Sequence, residues 1–295
     1  MIPIYITALA MITAGLVSFV PLRHWSALRF GPRINPDNVR KQVHKHPRLA
    51  AVVSARMDPS ALTGMALTVA GTVAVVGAVL FGLVFFMIRS HFGLADFDIR
   101  AARFAAHHAT HLSTSVLRTF TQLGGAVVLV PLAVVVWLTA GRRRSLTASF
   151  AFLVLTVGGQ FAAADLVKWI VDRTRPNFDR LTGFSGPSFP SGHATASACC
   201  LAAFALLIGV GRSPRVQAIL ASVAVALAAG IACSRVFLGV HWLTDVIGGL
   251  VLGWTWFAIC SIAFGGRLVD FGRPAEVMEQ TVQAEQSPVG GQSAR

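Results

Sequence analysis

Seven stretches of this chain are apolar for about the length that a bilayer demands, and that feature fixes most of what it can fold into. Crossing the hydrocarbon core takes roughly 20 apolar residues in a helix. The runs are Met1 to Leu22, Ala61 to Ile88, Thr119 to Gly141, Ser145 to about Trp169, His193 to Gly211, Val216 to Ser234, and about Leu243 to Phe264. Each is bounded by a charge or a polar break. In lipid, backbone amides find no water, so such segments must be helical. The expected fold is therefore an all-α, polytopic membrane helical bundle. Composition agrees: of 295 residues 55% are hydrophobic and only 13% charged, where a soluble domain carries about a quarter charged residues.

The net charge is +13, from 25 Lys and Arg against 12 Asp and Glu. In a soluble protein that excess would point to nucleic acid. Here much of it falls between apolar blocks, where the orientation rule for membrane loops accounts for it, and no nucleic-acid partner is expected. Arg23, Arg29, Arg33, Arg40, Lys41, Lys45, Arg48 and Arg56 follow the first run, which favours an outside N-terminus and a cytoplasmic basic segment, residues 23–60. The first run lacks a basic n-region and a clear cleavage site, so it reads as a span rather than a signal peptide. Parity then puts Arg142-Arg143-Arg144, Arg212 to Arg215 and the polar tail, residues 265–295, on the cytoplasmic side. The tail reads as disordered. The outer side receives Arg89 to Arg118, Val171 to Gly192 and Arg235 to Trp242. These loops carry arginines against the rule, and charges that break it are better explained by chemistry.

Three clusters sit at the outer ends of apolar runs: Lys168 to Pro176, Phe189 to His193, and Ser234 to Asp245. Lys168, Arg175 and Arg235 are cations near bilayer depth, where an unpaired charge is costly. A tetrahedral phosphate would satisfy several of their donors at once. Ser191 stands at the N-cap position of the following helix, and Gly192 lets backbone approach a ligand. The helix N-terminus is itself an anion site, with His193 in its first turn. His241 and Asp245, four residues apart, share a helical face. A carboxylate on one ring nitrogen leaves the other free to attack, while His193 would protonate the leaving group.

Lys168-x6-Arg175-Pro176, Pro190-Ser191-Gly192-His193 and Ser234-Arg235-x5-His241-x3-Asp245 together resemble the three-part signature of the phosphatidic acid phosphatase type 2/haloperoxidase superfamily. The resemblance implies a six-helix membrane phosphatase domain, residues 61–264, preceded by an additional N-terminal transmembrane helix, residues 1–22. It implies that His241 attacks phosphorus to give a phosphohistidine, with Asp245 in support. By the same resemblance His193 serves as acid and then as base for water. Lys168, Arg175, Arg235, Ser191 and the Gly192 amide would hold the phosphoryl oxygens. The implied partners are a lipid phosphate substrate and the bilayer. The implied location is a bacterial inner membrane with the site on its outer face. No cofactor and no metal are expected.

Neighbouring residues have plainer readings. Asp172 and Arg173 read as a local surface pair, and Asp165 with Lys168 as a helical ion pair. His107, His108 and His111 lack the carboxylate or thiolate that would complete a metal set. The stretch Asp96 to Arg118 that holds them reads as one interfacial amphipathic helix bordering the approach of lipid headgroups. Gly248, Gly249 and Gly253 suit close helix packing. Cys199, Cys200, Cys233 and Cys260 lie in apolar runs and read as packing residues. Within this frame three functions compete: hydrolysis of a lipid phosphomonoester or pyrophosphate (undecaprenyl pyrophosphate, phosphatidylglycerophosphate or phosphatidic acid), phosphotransfer at the same site, and transport of an anionic lipid.

Overall fold

The computed structural model describes residues 1–27, 62–90, 92–141, 146–178 and 180–270. Among these the chain forms α1 (Ile2–Ala27), α2 (Leu62–Ser90), α3 (Leu94–His107), α4 (His111–Thr121), α5 (Ala126–Gly141), α6 (Leu146–Leu153), α7 (Gly159–Val171), α8 (Gly192–Gly209), α9 (Pro214–Phe237) and α10 (Leu243–Asp270). The protein is an all-helical membrane bundle, and the described residues contain no strand. Most of the basic segment at 23–60 and of the tail at 265–295 lies outside the described residues.

Among the described residues six spans are long and apolar enough to cross a bilayer: Ile2–Phe19, Gly71–Ser90, Leu146–Val171, Gly192–Gly209, Pro214–Phe237 and Leu243–Phe264. The expected third run is not one straight helix. A single 3₁₀ turn, Gln122–Gly124, separates α4 from α5, and the two helices meet at 43°. Gly125 adopts extended backbone at the break. The pair counts as a seventh span only when taken together. The fourth run is likewise interrupted, by a π-helical turn at Val154–Gly158 between α6 and α7.

The expected single amphipathic helix from Asp96 to Arg118 is two helices. Thr110 starts the second with a reciprocal capping box. The Ser113 amide donates to Thr110 Oγ1 (3.2 Å), and the Thr110 amide to Ser113 Oγ (3.0 Å). Such a cap satisfies orphan donors that a continuous helix would not have. Leu117 of α4 is buried beside Phe237, Leu238 and Val240, so α4 is part of the bundle rather than a surface strip.

The helix α8 lies at the centre. Its membrane window is 61% buried, against 11% for α1. Its approach to α10 depends on absent side chains: a Cβ on Gly249 would come within 2.8 Å of the Ser191 carbonyl, and one on Gly253 would collide with the Thr195 carbonyl. Small residues at such crossings are the usual means of bringing membrane helices together. Below the site, Leu129, Phe152, Cys200, Phe204, Leu207 and Cys260 fill one apolar cluster. The four cysteines are free thiols. Ile6 of α1 packs beside Phe237, Leu238 and Val240, which puts the N-terminus at the same end of the bundle as the α9–α10 connection.

Candidate active site

Local sequence delivers the three clusters to one end. The helix α7 stops at Asp172, whose backbone is left-handed (φ 43°) and whose amide donates to the Lys168 carbonyl. Residues beyond it cross the end of the bundle to the start of α8. At the close of α9, Gly239 takes φ +70° and turns the chain back, presenting Val240 and His241 before α10 begins. Only glycine enters that region without steric cost. Asp245 sits in the first turn of α10, where its Oδ2 accepts the Trp242 amide (2.9 Å). The Ser191 amide donates to the Asp245 carbonyl (3.0 Å), tying the start of α8 to the start of α10.

His241 is 3% exposed. Its Nε2 lies 3.2 Å from Arg175 Nη1. A guanidinium can only donate, so Nε2 is the acceptor and the ring proton belongs on Nδ1. That nitrogen faces Asp245 Oδ2 at 3.5 Å, an ion-pair separation longer than a good hydrogen bond. Burial pushes the His241 imidazole down to about 4, against the opposing pull of Asp245 and with further help from the Arg175 and Arg235 charges. The ring is accordingly neutral at neutral pH, with its lone pair on the Arg175 side.

The cations divide by how well they are occupied. Arg175 donates to four backbone carbonyls: Gly186 (2.9 Å), Val240 (2.7 Å), Ser185 (2.8 Å) and Pro187 (3.1 Å). Burial, ahead of the neighbouring Arg180 charge, lowers its pKa from the ordinary guanidinium value, with Asp245 opposing. Lys168 pairs with Asp165 at 2.9 Å, as the spacing predicts. Arg235 is 4% exposed, yet Nη1 reaches only Thr121 Oγ1 at 3.4 Å, and Nε has no partner among the described residues. A buried guanidinium left this way needs an anion. Ser191 holds the N-cap position by backbone alone. Its side chain does not cap, and the buried Oγ has no partner among the described residues.

His193 lies in the first turn of α8, within electrostatic reach of Arg235, His241 and Lys168. The break between α4 and α5 packs beside it. A Cβ on Gly125 would stand 3.5 Å from His193 Nε2, and one on Gly124 would stand 3.2 Å from the His193 carbonyl. A Gly-Gly pair inside an apolar run was the available signal for this break. Gly192 leaves the neighbouring backbone open toward Lys168, 3.7 Å from where its Cβ would be.

Arg173 is not half of a surface pair with Asp172. It reaches across the bundle end to Asp98 Oδ2 of α3 (2.7 Å) and Asp245 Oδ1 of α10 (2.6 Å), and it also donates to Thr244 Oγ1 (2.8 Å). Asp172, left-handed at the end of α7, forms no ion pair with Arg173 among the described residues. Asp98, which sequence reasoning passed over, belongs to the buried stripe Asp98, Ala102 and Ala105 of α3. A carboxylate in phase with small apolar residues was the signal that could have found it. Among the described residues no group of three His, Cys, Asp or Glu side chains is placed to hold a metal.

A helical membrane bundle whose end gathers two histidines, a buried carboxylate and several cations is the framework of a membrane-embedded phosphoryl-transfer family. The profile of the PAP2 superfamily matches residues 146–268, from α6 through α10. A phosphatidylglycerophosphatase B of Bacillus subtilis is 34% identical over 143 residues, covering 47% of this chain and 68% of the relative. An undecaprenyl-diphosphatase of Sulfolobus acidocaldarius is 30% identical over 149 residues, covering 48% of this chain and 63% of the relative. The crystal structure of a transmembrane PAP2-type phosphatidylglycerolphosphate phosphatase from Bacillus subtilis superposes with a TM-score of 0.60 at 27% identity. That match covers 66% of this chain and 96% of the solved one. The chain belongs to the PAP2 superfamily.

Proposed function

We propose that this protein is a membrane lipid phosphatase that hydrolyses a phosphomonoester or pyrophosphate through a phosphohistidine at His241, without a metal. The observation that carries the reading is the buried Arg235 Nε, without a partner among the described residues, at the same end of the bundle as His241, whose Nε2 faces a donor and so accepts. A phosphate entering the site offers oxygens to Arg235, Lys168, Ser191 Oγ and the Gly192 amide. A phosphate oxygen also accepts the Arg175 N–H hydrogen bond now directed at Nε2, which frees the lone pair. Nε2 then forms a bond to phosphorus as the bond to the lipid oxygen breaks, and His193 gives that oxygen a proton. Asp245 steadies the Nδ1 proton as the ring becomes cationic. In the second half a water attacks phosphorus, His193 takes its proton, and the P–N bond breaks to release phosphate and neutral His241. The cations supply the charge stabilisation that a metal supplies elsewhere.

The relatives' names support phosphatidylglycerophosphate-like and polyprenyl diphosphate substrates as the first classes to try. The orientation we propose puts the site on the outer face of a bacterial inner membrane, with residues 61–264 as the phosphatase unit. A panel of purified lipid phosphates and pyrophosphates in detergent, assayed for free phosphate with His241→Ala as the blank, tests the reading. Phosphate release from at least one lipid by the parent protein, abolished in the blank, is the expected result. Label passed to an acceptor lipid instead of water would make the protein a phosphotransferase. Anionic-lipid translocation that survives in His241→Ala would make it a transporter.

A further inference from the structure

We infer that Asp98 and Arg173 are positioning residues for the nucleophile, and that through them α3 sets the working geometry of α10's first turn. The inference rests on His241 being the nucleophile, and it starts from a count of carboxylate oxygens. Asp245 is fully buried. One of its oxygens takes Arg173 Nη1 at 2.6 Å, and the other takes the Trp242 amide at 2.9 Å while facing His241 Nδ1 at 3.5 Å. With one oxygen clamped by Arg173 and the other by a main-chain amide, the carboxylate cannot rotate, so its distance to the imidazole is fixed from behind.

Arg173 is itself fixed. Asp98, 2% exposed, takes Nη2 at 2.7 Å on one oxygen, and the same oxygen accepts the Thr244 hydroxyl at 2.6 Å. Its second oxygen accepts the Thr244 amide at 2.9 Å. Asp98 therefore grips both the cation and the residue next to Asp245. Two carboxylates share one guanidinium, and this sharing sets how strongly Arg173 neutralises Asp245. Neutralising Asp98 would leave Arg173 to act on Asp245 alone, weakening the carboxylate's support of an imidazole that must become cationic on phosphorylation. Among the described residues Asp98 and Arg173 form no hydrogen bond or ion pair with Lys168, Arg175 or Arg235, so substrate binding should be spared.

The helix that supplies Asp98 has a second property. Its other faces expose Phe97, Ile99 and Phe104, with the Arg100 guanidinium lying over Phe97 at 4.5 Å. That pattern suits the interfacial layer of a bilayer. The acid that positions the nucleophile's partner is thus carried on an element whose exposed face has the character of an interfacial helix.

The test compares wild type, Asp98→Asn, Arg173→Ala, Arg173→Lys, Thr244→Val and His241→Ala in detergent, with kcat and KM separated for one lipid phosphate and folding followed by thermal melting. Asp98→Asn should lower kcat about ten- to a hundredfold, the range for losing a hydrogen bond to a charged group, with KM within about twofold. Arg173→Lys, which keeps the charge, should recover part of what Arg173→Ala loses. Should Asp98→Asn not fold, Thr244→Val removes only the hydroxyl from the same network and should still lower kcat at constant KM. A wild-type kcat in whichever of Asp98→Asn and Thr244→Val folds overturns the inference. So does a loss carried mainly by KM, or Arg173→Lys no better than Arg173→Ala. Hydrolysis by His241→Ala would sink the nucleophile reading whatever Asp98→Asn does. An inactive His241→Ala beside an Asp98→Asn at full kcat would sink this inference alone.

Discussion

The two sides of the site are built in opposite ways. On the His241 side Asp98, Arg173, Thr244 and Asp245 form a closed set of hydrogen bonds, and Arg175 is held beside them by four backbone carbonyls and His241 Nε2. On the His193 side Arg235 Nε and Ser191 Oγ are buried without partners among the described residues, and Lys168 is held only by Asp165, whose side chain is 71% exposed. The closed side holds the proposed nucleophile in one place. The open side keeps donors in a desolvated position, which is costly unless an anion arrives. The difference teaches that immobility and affinity are supplied by different halves of one end of the bundle.

That division can be broken by experiment. Removing the open side's deepest donor with Arg235→Ala should lower kcat/KM by about 10²–10³, the size seen when one donor to developing charge is lost. Loss of inhibition by vanadate should accompany it. A wild-type kcat/KM would mean that Arg235 is not spoken for by substrate. Ser191→Ala removes a neutral donor, and a fall of about tenfold in kcat/KM is expected, measured under the same conditions. An effect larger than that of Arg235→Ala would reverse the order of the two donors.

The closed side makes a prediction about pH. His241 is pushed down to about 4 in the folded protein, whereas a free imidazole titrates near 6.5. In the proposed mechanism the active form of His241 is neutral, so protonation of this ring removes activity only as pH falls toward 4, and no loss of kcat/KM from this residue is expected between about pH 7 and 5. Between those two pKa values the unfolded chain binds the extra proton, so this residue's contribution to stability also declines as pH drops from 6.5 to 4. A fall in kcat/KM centred near 6.5 would contradict the assignment. Smaller effects are expected further out. Replacing Arg100 and Arg103 by Glu should raise KM for an anionic lipid by a few-fold with kcat unchanged, because both are exposed cations on α3. Chelation with EDTA should change nothing, and activity abolished by EDTA and restored by Mg²⁺ would show that the cations do not carry the charge alone.

The spans and the three clusters were legible because both are local. A bilayer requires each helix to announce itself over about 20 residues, and Lys168–Arg175, Pro190–His193 and Arg235–Asp245 are short strings. What was not legible was long-range or subtractive. Asp98 and Arg173 are 75 residues apart, and an adjacent Asp172 offered Arg173 a nearer partner with which no ion pair forms among the described residues. The break at Gly124–Gly125 is packed against Ile231 and His193, which arrive from other helices, and no periodicity within the apolar run reveals it. Thr110 divides α3 from α4 through a cap that reads in sequence as an ordinary polar residue in an amphipathic stretch.

The claim that all of this serves is a covalent bond between His241 and phosphorus, and trapping that bond is the direct measurement. Protein mixed with lipid carrying a ³²P-labelled terminal phosphate and quenched in alkali should hold label that is stable to base, labile to acid, and mapped to the peptide containing His241. The label should be absent from His241→Ala and should accumulate when His193 is replaced in a way that slows attack by water more than transfer to the ring. Turnover of labelled lipid with no acid-labile phosphoprotein at any quench time, or label residing on another side chain, would contradict it.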